Sequence, residues 1–373
     1  MNMQAAISER YSRGAEEVEP ALCCPVTYDK TLLELIPQEI LEKDYGCGDP
    51  SPYVRLGDTV LDLGSGAGKL CYIMAQLVGD HGQVIGVDIN DDMLALARKY
   101  QPEIAERLGA DRVRFLKGYI QDLSLDVGAM DRYLVQNPVQ TATELEALKA
   151  WQANQRLQEP LIGDGSVDLV VSNCVLNLVS ETDRRTLVNE IFRVLKRNGR
   201  LAICDIVSDE VVPEHLKRDP KLWSGCISGA FQEQEFLRVF TDSGFVAVRV
   251  DQWSDEPWQV VEGIEFRAAT VVAVKGAVTP SVDRGHVVIY RGPYASVSDD
   301  AGHSYPRGER MAVSEDTFKQ LTEGPYREDF IGITPTELRD PAPCCVPAGA
   351  RRPASQTKGA AHLGSTVSSG CCG

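Results

Sequence analysis

No stretch of this chain holds enough consecutive apolar residues to cross a bilayer, so no membrane partner is expected. The opening MNMQAAISERYSRGAEEVEP lacks the apolar core of a secretory leader, which points to a cytoplasmic protein with reduced thiols. Positive charge is short: 38 Lys and Arg stand against 54 Asp and Glu, a net charge of −16, and a phosphate backbone would be repelled. No nucleic-acid partner is expected. Histidine is scarce as well. His81, His215, His286, His303 and His362 fall outside every motif considered below, and neither C-x-x-C nor H-x-x-x-H occurs, so a zinc finger has no support.

Two familiar phosphate loops are missing too. A Walker A loop needs four residues between its glycines and Ser or Thr after its Lys, whereas three residues separate Gly64 from Gly68 and Leu70 follows Lys69. A dinucleotide fingerprint would need Gly where Lys69 stands. What is present is an apolar run (Val60, Leu61, Leu63), the turn Gly64-Ser65-Gly66-Ala67-Gly68, a helical pattern through Leu70, Ile73, Met74 and Leu77, and a second apolar run ending at Asp88. That is strand, glycine turn, helix, strand. The glycines allow close backbone approach to a ligand, and Asp88 stands where a carboxylate accepts from ribose hydroxyls. D-L-G-S-G-A-G with an acid ending the next strand resembles the S-adenosylmethionine (SAM) site of class I methyltransferases.

Along the chain, residues 1–20 are polar and are expected to be poorly ordered. A helical pattern from Leu32 to Ile40 is interrupted by Pro37, so it is either one kinked helix or a helix that restarts. After Asp88 come a helix capped by Asn90, a strand at 112–116, and Asp122 in the following turn. Residues 127–160 are helical in pattern and too long for an ordinary connection, so they read as an insertion. SVDLVVSNC (166–174) is the next strand; a helix over 184–196 and a strand over 200–207 follow. A helix at 233–243 and strands at 245–250 and 266–274 complete a sheet of about seven strands. The expected fold is α/β: a class I SAM-methyltransferase, Rossmann-like sheet with helices on both faces, plus a small C-terminal β-rich piece and a disordered tail. The boundaries expected are 1–44 for an N-terminal segment, 45–276 for the methyltransferase domain, 277–340 for a small α+β domain, and 341–373 for the Pro/Gly/Ser-rich tail.

Eleven cysteines remain to be placed. Cys71 and Cys204 fall inside a helix and a strand and read as small core residues. Cys23-Cys24, Cys344-Cys345 and Cys371-Cys372 are adjacent pairs. Neighbouring Cα atoms are only about 3.8 Å apart, too close for a relaxed internal disulfide, so such pairs suit a soft thiophilic ion or other partners. Cys47, Cys174 and Cys226 each sit in a loop beside the glycine-turn edge of the sheet. The motifs YGCG, SNCVLNLV and WSGCISGAF, taken with the glycine loop in this order, resemble the arsenite methyltransferase family from about Cys24 to Gly276.

The resemblance implies that Cys47, Cys174 and Cys226 bind trivalent arsenic and that Cys24 or Cys23 forms a disulfide with Cys47 during redox cycling; which one acts stays open. It implies SAM as cofactor, with contacts from Tyr45, Asp62, Gly64, Ser65, Gly66, Asp88, Ile89, Met93, Ile120, Asp122 and Asn173. Asp122 would meet the adenine amino group. The substrates implied are arsenite and methylarsenite, with glutathione or thioredoxin as thiol reductant. The chemistry is coherent: As(III) is soft and prefers thiolates. A lone pair opposite three sulfurs can attack the sulfonium methyl in an SN2 step, and no general base is needed because the nucleophile carries no proton. The alternative readings are a methyltransferase for a small organic acceptor, which would need a base near the methyl, and a metalloid-sequestering protein without turnover.

Overall fold

The computed structural model describes residues 3–17, 26–43, 45–276, 282–300, 302–324, 326–335, 342–343 and 350–358. The chain divides into two units, Met1–Lys275 and Gly276–Gly373.

In the first unit β1 (Thr59–Leu63), β2 (Gln83–Asp88), β3 (Val113–Lys117), β4 (Val167–Asn173) and β5 (Leu195–Ser208) run parallel. Their apolar runs are buried on both faces, as helix-covered parallel strands must be. β6 (Phe231–Gln232) pairs briefly with β5, while β7 (Phe245–Trp253), β8 (Gln259–Val261) and β9 (Ile264–Lys275) extend the sheet antiparallel. The order is β3-β2-β1-β4-β5-β9-β7. Chain direction across the sheet switches between β1 and β4, and ligands of such sheets bind at that carboxyl edge. β1 ends there in the glycine turn and β4 in Asn173-Cys174.

The helices in chain order are α1 (Met3–Glu16), α2 (Lys30–Leu33), α3 (Gln38–Glu42), α4 (Lys69–Leu77), α5 (Asp91–Leu108) and α6 (Val127–Gln136). Then come α7 (Ala142–Gln158), α8 (Glu181–Val194), α9 (Glu214–Lys217), α10 (Pro220–Ser224) and α11 (Glu233–Thr241). Strand alternation splits the core in two. Val60 and Val84 face Ile73, Met74 and Leu94 of α4 and α5, whereas Leu61, Leu63 and Val271 face Leu187, Ile191, Phe236 and Phe240 of α8 and α11. Each such fully buried side chain is worth about 1.5–3 kcal/mol. Asn90 starts α5 by accepting from Asp92 and Met93 amides, and Gly109 at φ 74° ends it. The insertion is the helix pair α6–α7, the second opened by a Thr141–Glu144 capping box, with Tyr133 stacked on Trp151 at 4.7 Å. Among the described residues no helix is long and apolar enough to cross a membrane.

The N-terminal expectation is corrected. Polar residues 3–16 form α1, which packs against α5 and α10. Two of its polar side chains, Arg10 and Ser12, are held by bonds to distant residues. Arg10 Nη1 donates to Ser224 Oγ (2.9 Å) and Lys221 O (3.1 Å), and Asn90 Nδ2 donates to Ser12 Oγ (3.0 Å). Pro37 does not kink one helix: it caps α3 after α2 has ended.

The second unit holds a three-stranded antiparallel sheet (Arg310–Ala312, Val287–Tyr290, Phe330–Ile333), a hairpin (Ser296–Ser298, Ser304–Pro306) and a helix, Glu315–Thr322. Val288, Tyr290, Tyr305, Met311 and Phe330 form its core. Residues 350–358, assigned by composition to the tail, belong to this unit. Ala312 N donates to Ala350 O and Arg352 N to Arg310 O, and the Arg352 guanidinium pairs with buried Asp283. The pairs Cys23-Cys24, Cys344-Cys345 and Cys371-Cys372 lie outside the described residues.

Candidate active site

The ends of β1, β2 and β4 open onto one cavity. Its floor is the glycine turn. Gly64 sits at φ 74°, and a Cβ there would meet the Val175 side chain at 2.5 Å, so only glycine lets β1 and the β4 loop close together. Asp88 fixes the turn: Oδ2 accepts from Gly66 N (2.9 Å) and Oδ1 from Asn90 N (2.8 Å). Burial raises the Asp88 pKa, opposed by the amides of Asn90, Gly66 and Ile89. Ser65 Oγ, on the cavity wall, is buried without a protein partner. Ile89, Met93 and Ile120 supply apolar walls, and α1 supplies a roof through Ile7, Ser8 and Tyr11. The Tyr45 hydroxyl donates to Gly14 O (3.0 Å), and its ring meets that of Tyr11 edge-on at 6.2 Å. An unmet hydroxyl, a carboxylate beside loop amides and flat apolar walls fit the nucleoside of SAM.

The three loop cysteines meet beside this cavity. Cys47 and Cys174 form a disulfide with their Cα atoms 5.8 Å apart. Cys226 is buried, and its thiol donates to Cys174 O at 3.2 Å. Cys174 and Cys226 have φ of 60° and 62°, a region that costs a residue with a side chain on the order of 1–3 kcal/mol and is found where function holds it. Asn173 ties the Cys47 segment to β4: Oδ1 accepts from Cys47 N (2.8 Å) and Gly48 N (3.0 Å), and Nδ2 donates to Gly48 O (2.7 Å). The glycines of YGCG permit this approach. A Cβ on Gly46 would lie 2.1 Å from Asn173 Nδ2, and one on Gly48 2.8 Å from Cys204 Cβ.

An acid completes the cluster. An oxygen of Asp205 lies within 4.8 Å of both Cys47 and Cys174 sulfurs. Burial pushes its carboxyl up to about 7, against the pull of the Ile206, Asn177 and Leu176 amides and the Arg184 charge. Cys204 and Cys71 are buried and free. Burial raises the Cys204 thiol to about 12, and its sulfur lies 3.1 Å from Thr270 Oγ1. Cys71 donates to Asp62 Oδ2 at 3.3 Å.

Each residue expected around the cofactor lines the cavity except Asp122. Arg156, from the inserted α7, captures the Asp122 carboxylate with Nη2 at 2.9 Å and Nε at 3.1 Å, turning it into a neighbouring depression; Tyr119, Ile120 and Gln121 form the cavity wall there instead. The expected partner of Cys47, Cys24 or Cys23, lies outside the described residues, and the disulfide seen joins Cys47 to Cys174. Three residues of the site went unread. Asp205 had a signal, a lone acid within the apolar strand LAICDIV. Tyr11 had none, and Asn177 was hidden in an apolar turn.

Comparison with known proteins bears on the fold and the family. A family described as a methyltransferase domain matches residues 55–147 and 144–244, and a domain family of unknown function matches 277–362. The arsenite methyltransferase of Aquipseudomonas alcaligenes is 29% identical over 349 residues, 88% of this chain and 90% of that protein. That of Mus musculus is 29% identical over 328 residues, covering 85% and 77%. The crystal structure of an arsenic(III) S-adenosylmethionine methyltransferase from Chlamydomonas reinhardtii superposes with a TM-score of 0.56 at 26% identity, over 86% of this chain and 99% of that one.

Proposed function

The chain belongs to the methyltransferase-domain family, and from that premise we propose that it methylates trivalent arsenic held by Cys47, Cys174 and Cys226, using SAM, in the cytoplasm. One observation carries the reading: three cysteines from segments far apart in sequence converge in a buried cluster flanked by Asn173 and Val175, both on the wall of the cavity lined by the glycine turn and Asp88. Bound SAM supplies an electrophilic sulfonium methyl. Asp88, Ser65 and the glycine turn would hold the cofactor, and the roof of α1 would shield the cavity from water.

The thiols do the rest. Reduction of the Cys47–Cys174 disulfide takes up two electrons and two protons, and a thiol reductant of the glutathione or thioredoxin class provides them. Three thiols then condense with arsenite, forming three As–S bonds and releasing three waters. The trigonal sulfur set leaves the arsenic lone pair free, and alignment of that pair with the methyl is the protein's main contribution, worth roughly 7–11 kcal/mol in well-oriented cases. Methyl transfer oxidises arsenic by two electrons, so the reductant is consumed at each turnover.

The assay is purified reduced protein with labelled SAM, arsenite and a thiol reductant, with methylarsenicals followed by mass spectrometry. Reductant-dependent methylarsenite is expected, and its absence refutes the reading. Asp205 favours one alternative, transfer to a small organic acceptor, by placing a carboxyl that titrates near neutrality beside the thiols. Labelled methyl on an organic acceptor, with none on arsenic, would establish that alternative.

A further inference from the structure

The arsenic-binding reading, on which this inference rests, requires three sulfurs from three segments to hold one geometry. Asn173 secures the first segment, Cys47, to β4. The third, the Cys226 loop, hangs on a residue given no role so far. Asn177 lies in the short turn Leu176–Leu178 after Cys174 and is completely buried. Its Nδ2 donates to Ile206 O (2.6 Å) and to Cys226 O (3.3 Å). Two carbonyl acceptors at one end of the amide fix which end is nitrogen. Its main-chain N donates to Asp205 Oδ2 at 3.2 Å, and its carbonyl oxygen is so close to Gly229 that a Cβ there would lie 1.9 Å away. The Arg184 guanidinium, donating to Gly229 O, closes the same junction.

Asn177 Oδ1, by contrast, is buried with no partner. A half-satisfied buried amide costs stability, and packing alone would be served better by Leu. What the amide supplies is the pair of donor bonds. One of them ends on the carbonyl of Cys226, the residue held at φ 62°. Release of that carbonyl lets the peptide return to ordinary φ, and the direction of the Cys226 side chain turns with it.

We infer that Asn177 is the positioning residue of the thiol trio: it binds the Cys226 loop to β5 and to the turn after Cys174, so that the third sulfur meets the other two. The bond between Cys226 Sγ and Cys174 O is the visible result.

The test is a double-mutant cycle on the reduced full chain, with Asn177→Leu, Cys226→Ser and the double variant. Arsenite is the probe, read by fluorescence of Trp223, three residues before Cys226 and bonded through Nε1 to Leu178 O at 3.4 Å. SAM affinity is measured alongside by calorimetry. Asn177→Leu is expected to weaken arsenite binding at least tenfold, the double variant to bind as Cys226→Ser alone does, and SAM affinity to stay within twofold throughout. An unchanged arsenite affinity in Asn177→Leu overturns the inference, and so does an equal loss with and without Cys226, because a structural defect would add to the loss of the thiol. Should Asn177→Leu fail to bind SAM, Asn177→Ser, too short to span both carbonyls, is judged by the same criteria. Loss of SAM binding in both makes Asn177 a folding residue and overturns the inference as well. Absence of any arsenite response in the reduced wild-type protein would instead defeat the arsenic reading itself.

Discussion

Asp88→Ala tests the cofactor site most directly. The carboxylate does two jobs at once: it accepts the Gly66 and Asn90 amides, and it presents its remaining lone pairs to the cavity, where ribose hydroxyls would donate. Hydrogen bonds to a charged acceptor are worth about 1.5–3 kcal/mol. Loss of the hydroxyl contacts alone should therefore cost about 2–3 kcal/mol, a rise of roughly 30- to 150-fold in the SAM Kd. The orphaned Gly66 amide pushes the same way, since a loosened turn no longer waits in the bound shape. Calorimetry with SAM and with its demethylated product should show equal losses, because the ribose is common to both. Arsenite affinity should be unchanged. The pH profile gives a second reading. Burial raises the pKa of Asp88, so the free protein takes up a proton there at higher pH than an exposed Asp would. Only the carboxylate accepts from both hydroxyls, so wild-type SAM affinity should fall as pH drops through that raised pKa, and the Asp88→Ala profile should be flat over the same range. Full SAM affinity in the variant would refute the assignment.

The other expectations concern the thiols, the roof and one ion-pair hub. Cys174→Ser and Cys226→Ser should each reduce methylation of arsenite more than about a hundredfold, or 2.7 kcal/mol, because a serine hydroxyl is a hard, protonated ligand; normal turnover in either would show that the trio is misassigned. Cys47→Ser should lose arsenite turnover and keep that of methylarsenite, where a methyl group already fills one arsenic position, and equal loss with both substrates would count against that division. Deletion of residues 1–17 should raise the SAM Kd at least several-fold by removing Ile7, Ser8 and Tyr11 from the cavity wall; an unchanged calorimetric Kd would make α1 a bystander. Glu39, hydrogen-bonded by Lys99, Tyr100 and Lys43, has its pKa lowered to about 2, so its stabilisation is fully present above the ordinary Glu pKa and is lost as pH falls toward 2. Glu39→Gln should thus lower stability slightly at pH 7, by less than about 1 kcal/mol for a partly exposed cluster and read as a small fall in Tm, with the deficit shrinking below pH ~4.5; a deficit constant with pH would exclude the ion pairs as its source.

What could be read in advance was whatever a few neighbouring residues decide. The alternation that sends Val60 to one face of the sheet and Leu61 to the other needs no knowledge of the rest of the chain. The same holds for the cap at Asn90, the stop at Gly109 and the glycine turn that leads from β1 into α4. The three cysteine motifs were legible because each carries its own local permission. Glycines flank Cys47 and lie on both sides of Cys226, and Asn173 precedes Cys174 at the end of a recognisable strand. The match to arsenite methyltransferases over most of the chain agrees with the family resemblance that those motifs carry.

What could not be read was decided across long sequence separations, and always by polar groups. Asp122 stands by position where a cofactor contact is expected, yet its carboxylate is bonded by Arg156, 34 residues away on an insertion whose packing the local pattern does not reveal. Residues 1–20, of which 3–16 form α1, read as poorly ordered because polarity is the usual mark of a segment with nothing to bury. Their partners are Ser224, Lys221 and Asn90, between 78 and 214 residues distant, and those bonds bring Tyr11 over the cavity. Arg352 was lost in a Pro/Gly-rich stretch until Asp283, 69 residues earlier, gave it a buried counter-charge. Apolar side chains announce burial by their periodicity, whereas a polar side chain can be buried only if its partner arrives too, and the partner's position is information held elsewhere in the chain. The proposed active site is where this matters most. Asn173, Asn177 and Asp205 are buried polar residues in apolar company, and the bonds from Asn173 to Cys47 and from Asn177 to Cys226 span 126 and 49 residues. A reading built on periodicity finds the cysteines and misses the polar groups bonded to their loops.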